Sequence, residues 1–269
     1  NEFVHTPPKR FTKNSVVVLN SYSGTTAETV EACRIAKEKG ARTIAFSMFP
    51  EKAIGIADEV VFYEDEPSNP PPTFLTIFPA VYQVVFTILD VLEGTNLTPV
   101  IQNAMEQLDD IYAKERAKRA DELRAFADTY YNEPIFYTTG AGMDYQMCYI
   151  MTVCILLEAQ WIHSAAFHAG EFFHGPFEIV DRTTPFVLFM SDGRNRSNDE
   201  RAKKFLDEYA DRVTVLDAKE LYINQFPASV CEFFNHFVFD AAQRRLLSAL
   251  GDIRKHDLMT RRYMWHVEY

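Results

Sequence analysis

The stretch Val16-Val17-Val18-Leu19-Asn20-Ser21-Tyr22-Ser23-Gly24-Thr25-Thr26-Ala27-Glu28 carries the fold in miniature. Residues 16–19 are apolar and mostly β-branched over strand length, which predicts a strand buried on both faces. A turn rich in hydroxyls follows. From Ala27 the spacing becomes helical, with Val30, Cys33 and Ala36 on one side, Glu28 and Glu31 near the positive end and Gly40 as a stop. Residues 43–48 read as a second strand and residues 59–63 as a third, beyond a short helical segment containing Ile and Ala. Strands and helices that alternate in this way build a parallel sheet with helices on both faces, so the fold class is α/β.

Working outward, residues 98–132 are charged and amphipathic, with Ile101, Met105, Leu108, Ile111 and Tyr112 at helical spacing. They predict a helix joining two lobes, its charges forming a solvated face. The second lobe opens at Glu133-Pro134 with a strand at 135–138, then Gly140-Ala141-Gly142, then a long apolar helix at about 143–161. Strands at 185–190 and 212–216 flank a helix at 200–209, and a last helix spans 230–250. The domains expected are therefore 1–97, the connecting helix 98–132, and 133–269. Their similar layout suggests an internal duplication, although no residue-by-residue repeat is evident.

The chain of 269 residues has 27 Lys and Arg against 38 Asp and Glu, a formal charge of -11, which leaves no electrostatic footprint for a nucleic-acid backbone. No secretory signal is visible at the start. The least charged region begins with Pro67, Pro70, Pro71 and Pro72 and leaves residues 74–89 as a continuous helix, short of the ~20 apolar residues a membrane span needs. It also contains Pro79 and Gln83, and reads as a core or subunit-contact helix. Cys33, Cys148, Cys154 and Cys231 form no CxxC pair and each lies in an apolar stretch, which predicts buried, reduced thiols and a cytoplasmic protein.

Two places carry chemistry. A strand that ends in Ser21-Tyr22-Ser23-Gly24-Thr25-Thr26 and enters a helix presents amides and hydroxyls to one point, a geometry that suits a phosphate without Lys or Arg. The same residues also suit a helix cap, and composition favours neither. The second place runs from Leu156-Leu157-Glu158-Ala159-Gln160-Trp161-Ile162-His163 through Glu171-Phe172-Phe173-His174-Gly175-Pro176. Glu158 on an apolar helix is either a general acid/base or the partner of a salt bridge. His174 precedes Gly-Pro, where regular structure must end, so a loop presents its imidazole. His163, His168 and His174 lack the spacing of a zinc site, and no metal is expected.

The loop from Ser21 to Thr29, followed by an Ala-containing helix and Lys39-Gly40-Ala41, resembles the phosphosugar-binding loop of the sugar isomerase (SIS) domain. That resemblance implies two SIS-type, flavodoxin-like lobes, each a parallel sheet flanked by helices. It also implies that Ser21, Ser23 and Thr26 hold the sugar phosphate, with Tyr22 in the same loop. SIS domains usually carry an earlier strand and Gly/Ser loop, so the first lobe is expected to be incomplete at its N-terminus. Residues 157–180 resemble the isomerase domain of glutamine-dependent glucosamine-6-phosphate synthase, in which a Glu and the His of an HGP turn are separated as Glu158 and His174 are. There the Glu moves a proton between C1 and C2, and the His assists ring opening, in related enzymes from the neighbouring subunit. A homodimer or higher homo-oligomer with a shared active site is implied.

Phe172-Phe173-His174-Gly175-Pro176-Phe177-Glu178-Ile179, Pro185-Phe186, Asp192-Gly193-Arg194 and the ending Arg261-Arg262-Tyr263-Met264-Trp265-His266-Val267-Glu268-Tyr269 resemble the bacterial fructosamine-6-phosphate deglycases. The implied function is cleavage of a 6-phosphorylated Amadori adduct, such as fructoselysine or glucoselysine 6-phosphate, to glucose 6-phosphate and a free amine, without a cofactor. The alternatives are an aldose-ketose isomerase or aminating synthase acting on glucosamine or fructose 6-phosphate, and a non-catalytic phosphosugar-binding regulatory module. Arg261 and Arg262 either close over the anionic ligand or form a surface pair on a frayed terminus.

Overall fold

Three short strands, β1 (Val16–Asn20), β2 (Arg42–Ser47) and β3 (Glu59–Phe62), lie side by side in that order and all parallel. Val16 pairs with Arg42 and Ile44 with Glu59. They belong to the first of two units, Asn1–Asp109 and Asp110–Tyr269. The structure is a computed structural model and describes residues 2–65, 72–264 and 266–268. Pro67, Pro70 and Pro71 of the expected proline cluster lie outside the described residues, as do Trp265 and Tyr269 of the terminal motif.

Helix Ala27–Glu38 covers one face of this sheet, burying Leu19, Cys33, Ala45 and Ile54 with Val17, Val30 and Val60 around them. On the alternate positions Val16 and Val18 are 55% and 48% exposed, so β1 is not buried on both faces as its composition predicts. Valine favours extended pairing whether or not its side chain is covered, and an unbroken Val run therefore does not report two-sided burial. At the amino edge the Asp58 carboxylate accepts from the Thr43 amide and hydroxyl, each at 2.9 Å, and from Lys37 at 2.6 Å. Beyond β3 the apolar segment forms helix Ile77–Glu93. The expected single connecting helix is two, Thr98–Met105 and Leu108–Tyr130, and the division between units falls at the start of the second. Its charges are not all solvated: Glu115 and Arg119 are buried, and Glu115 accepts from Arg119 at 3.4 Å and from the Tyr222 amide at 2.7 Å.

The second unit holds four parallel strands, β4 (Ile135–Gly140), β5 (His163–His168), β6 (Phe186–Met190) and β7 (Val213–Asp217), in the order β5-β4-β6-β7. β5 is an addition to the sequence reading. Between β4 and β5 the chain forms an α-turn, Tyr145–Tyr149, that continues as the π-helix Ile150–Ala159, a wider winding often found at functional sites. Between β6 and β7 lies helix Arg196–Tyr209, and after β7 comes helix Asn235–Arg254, split from a short turn at Ala228–Cys231.

Strand alternation assigns the two faces. Tyr137, Phe186 and Val213 pack with Phe172, Phe173, Phe205 and Leu206, so helix Arg196–Tyr209 and the segment after β5 share one face. Val187, Thr214 and Leu216 meet Leu123, Phe126, Met151, Ala242 and Leu246, and Thr138 donates to the Cys148 carbonyl at 3.1 Å, so the π-helix and helices Leu108–Tyr130 and Asn235–Arg254 share the other. Right-handed crossovers that leave β4 for β5 and β6 for β7 in opposite directions require this split.

Above the carboxyl ends of β4 and β6, Asp144 and Asp199 are buried. Burial, with the Asp199 charge adding to it, pushes Asp144 up to about 7, and burial pushes Asp199 up to about 6. Both carboxyls favour the protonated form when folded, so their contribution to stability is complete below about pH 4 and is lost as pH rises through 6 and 7. Buried His236, pushed down to about 4, acts in the opposite sense below neutral pH and flattens the wild-type profile. Comparison with Asp144→Asn isolates the carboxyl. The variant should gain about 2 kcal/mol on wild type between pH 5 and 8 in urea denaturation, and a constant difference would refute the assignment.

Candidate active site

The hydroxyl-rich turn leaves the carboxyl end of β1 and is tied to the end of β2. The Ser21 amide donates to the Phe46 carbonyl at 3.0 Å, and the Gly24 amide closes the turn on the Ser21 carbonyl at 3.2 Å. Gly24 has φ +66, and a Cβ there would lie 2.6 Å from the Phe49 carbonyl oxygen, so glycine is required on both counts. The buried Ser47 hydroxyl supports the turn from beneath, donating to the Tyr22 carbonyl at 3.4 Å and accepting from the Phe49 amide at 3.0 Å. Sequence reasoning missed Ser47, because a lone serine in a strand carries no local signal.

The structure brings the four predicted loop residues together. Buried Ser21 donates its hydroxyl to Thr26 Oγ1 at 3.0 Å, Ser23 Oγ accepts from the amide and hydroxyl of Thr25 at 3.2 and 3.0 Å, and Tyr22 is half exposed beside Phe49. Thr26 occupies the N-cap of helix Ala27–Glu38, yet its side chain makes no capping hydrogen bond. The amides of the first helical turn are therefore not taken by the cap that composition left open, and they retain the partial positive charge of a helix start.

Glu158 sits in the last turn of the π-helix. Arg261 donates to its Oε1 twice, from Nε at 3.1 Å and Nη2 at 2.7 Å, across 103 positions of sequence. The following residues are braced by the same terminal segment. Arg254 donates to the Gln160 carbonyl at 3.2 Å, and Trp161, at a φ of 54 unusual for a bulky side chain, has the Arg262 guanidinium 4.3 Å from its ring and His256 edge-on at 4.7 Å. Both terminal arginines thus engage the end of the π-helix.

His174 is exposed on a short turn that ends at Gly175, whose φ of +141 again calls for glycine. Its imidazole makes no hydrogen bond among the described residues. Among the described residues no hydrogen bond or ion pair joins it to Glu158: His174 follows Phe172, which packs with Phe205 on one face of the second sheet, and Glu158 ends the π-helix whose Met151 packs on the other. His163 and His168 mark the two ends of β5, the latter accepting from the Gly170 amide at 3.0 Å. Among the described residues, no three His, Cys, Asp or Glu converge as metal ligands, and no helix is long and apolar enough to cross a membrane. Cys33, Cys148 and Cys231 are buried thiols, whereas Cys154 is exposed, contrary to expectation, because it occupies the outer side of the π-helix.

No family model matches the chain. A fructosamine deglycase of Bacillus subtilis is 38% identical over 269 residues, all of this chain and 82% of that protein. A fructoselysine 6-phosphate deglycase of Escherichia coli is 27% identical over 221 residues, 82% of this chain and 64% of the relative. Among solved structures, a Bacillus subtilis protein assigned as a phosphosugar isomerase superposes with a TM-score of 0.95 at 38% identity, over all of this chain and 82% of its own. Glucosamine-6-phosphate deaminase of Thermotoga maritima superposes with a TM-score of 0.71 at 17% identity, over 99% of this chain and 78% of its own, a likeness of fold alone. A full-length match at 38% identity, on two parallel sheets flanked by helices, makes this chain a member of the sugar isomerase (SIS) family and an enzyme of its phosphosugar deglycase and isomerase group.

Proposed function

We propose that this enzyme cleaves a fructosamine 6-phosphate, with fructoselysine 6-phosphate as the representative substrate, to glucose 6-phosphate and the free amine. The observation that carries the substrate class is the turn at Ser21–Thr26: a helix start whose amides no side chain caps, ringed by neutral hydroxyls, holds a dianion inside a chain of net charge -11. Ser21, Ser23 and Thr26 grip the phosphate, with Tyr22 at its side. Full-length similarity to a fructosamine deglycase supports the amine-releasing chemistry.

The substrate carries a ketone at C2 and a substituted amine at C1, so release of the amine reverses an Amadori rearrangement. His174 assists ring opening. Glu158 removes a proton from C1, giving an enaminol, and returns a proton to C2. The C1–N bond is then an aldimine, to which water adds, and collapse of the carbinolamine expels the amine and leaves the aldehyde of glucose 6-phosphate. No redox change occurs. Because Glu158 and His174 occupy opposite faces of one sheet, the pair that serves one substrate comes from two copies of the chain, at least a homodimer. A phosphorylated substrate and four unpaired thiols suit a reducing cytoplasm.

Release of glucose 6-phosphate from fructoselysine 6-phosphate, with none from glucosamine 6-phosphate, is the direct test; turnover of glucosamine 6-phosphate alone would assign an isomerase instead. Glu158→Gln should lower kcat by about 10² to 10⁴, the contribution of a positioned acid/base, and near-normal kcat would remove Glu158 from the mechanism. Ser21→Ala should raise KM at least several-fold with kcat and the thermal midpoint little changed; an unaltered KM would count against the phosphate loop.

A further inference from the structure

A carboxylate that takes and returns a proton needs one oxygen at the reacting carbons and a fixed orientation about its last rotatable bond. In Glu158 the two oxygens are not equivalent. Oε1 receives both hydrogen bonds from Arg261, at 3.1 and 2.7 Å, whereas Oε2 receives none among the described residues. Arg261 is itself built in: its side chain is 10% exposed, and its third nitrogen, Nη1, donates to the Leu258 and Thr260 carbonyls at 2.8 and 3.1 Å. All three guanidinium nitrogens are therefore engaged within the chain, which is the arrangement of a brace and not of a cation held out to an anionic ligand.

We infer that Arg261 is the positioning residue of Glu158, chelating Oε1 so that Oε2 is the oxygen that carries the proton between C1 and C2. This rests on the proposed role of Glu158. The remainder of the segment serves the same end. Arg254 holds the Gln160 carbonyl, and Arg262 and His256 pack on the Trp161 ring, so residues 254–262 also hold the two positions that follow the π-helix. Orientation of a reacting group to within an ångström is worth orders of magnitude in rate, and a point-charge ammonium cannot reproduce a two-pronged hold on one oxygen.

The test uses the full chain and release of glucose 6-phosphate from fructoselysine 6-phosphate, with kcat, KM and thermal midpoint measured for each variant. Arg261→Met should lower kcat roughly 10- to 100-fold while KM stays within about twofold, Arg261→Lys should recover part of the loss, and adding Arg261→Met to Glu158→Gln should cost little further. A raised KM with kcat intact would make Arg261 a substrate contact and overturn the inference. If Arg261→Met does not fold, Arg261→Lys decides: kcat lowered at constant KM supports the brace, and unchanged kcat refutes it. An inactive Glu158→Gln beside a fully active Arg261→Met sinks the brace alone, whereas normal turnover by Glu158→Gln sinks the functional reading and the brace with it.

Discussion

The hand of a β-crossover-β connection leaves β4 no freedom over its neighbours. The link to β5 departs in one direction along the sheet and the links that lead through β6 to β7 depart in the other, so right-handed crossovers must lay their helices on opposite faces. Glu158 ends the first of these connections and His174 lies in the second. Sixteen positions of sequence thus place an acid and an imidazole on two sides of a packed sheet, whose interior is filled by Phe136, Phe186, Val187 and Phe189. A side chain cannot pass through a layer packed like this. Strand order is what leads us to propose that separate copies of the chain supply the two groups to one substrate.

The turn proposed to hold the phosphate meets a different constraint. An acidic chain that binds an anion gains from donors that carry no long-range charge, and a helix start supplies them only if its own cap does not consume them. Thr26 leaves them open because its hydroxyl is turned to Ser21. Gly24 and Ser47 make that geometry affordable, the first by tolerating a left-handed turn against the Phe49 carbonyl and the second by holding the turn to β2. The terminal segment performs the same service for Glu158 through Arg261.

Alternation of strands and helices was legible in the sequence because each segment declares its own period, and so was the Gly-marked turn, whereas the pairing of Glu158 with His174 came from family resemblance and not from any local period. Other features depend on partners remote in sequence or on competition between weak preferences. β5 reads His163-Ser164-Ala165-Ala166-Phe167-His168, without the β-branched run that marks a strand, and tertiary pairing with β4 overrides that weak propensity. The exposure of Val16 and Val18 depends on what covers a face, which composition does not encode. Glu115 and Arg119, four positions apart, look like a surface pair until the Tyr222 amide, 107 positions away, is found beneath them. The hold of Arg261 on Glu158 spans almost as far. Period and turn chemistry are local, whereas burial and ion pairing are not.

Co-expression of two inactive chains, one carrying Glu158→Gln and the other His174→Ala, tests the shared site most directly. Random pairing makes half of the dimers mixed, each with one site that has both native groups, so about a quarter of wild-type activity should return in the mixture. Mixed dimers, isolated by two affinity tags, that remain as inactive as either parent would contradict a site built from two copies.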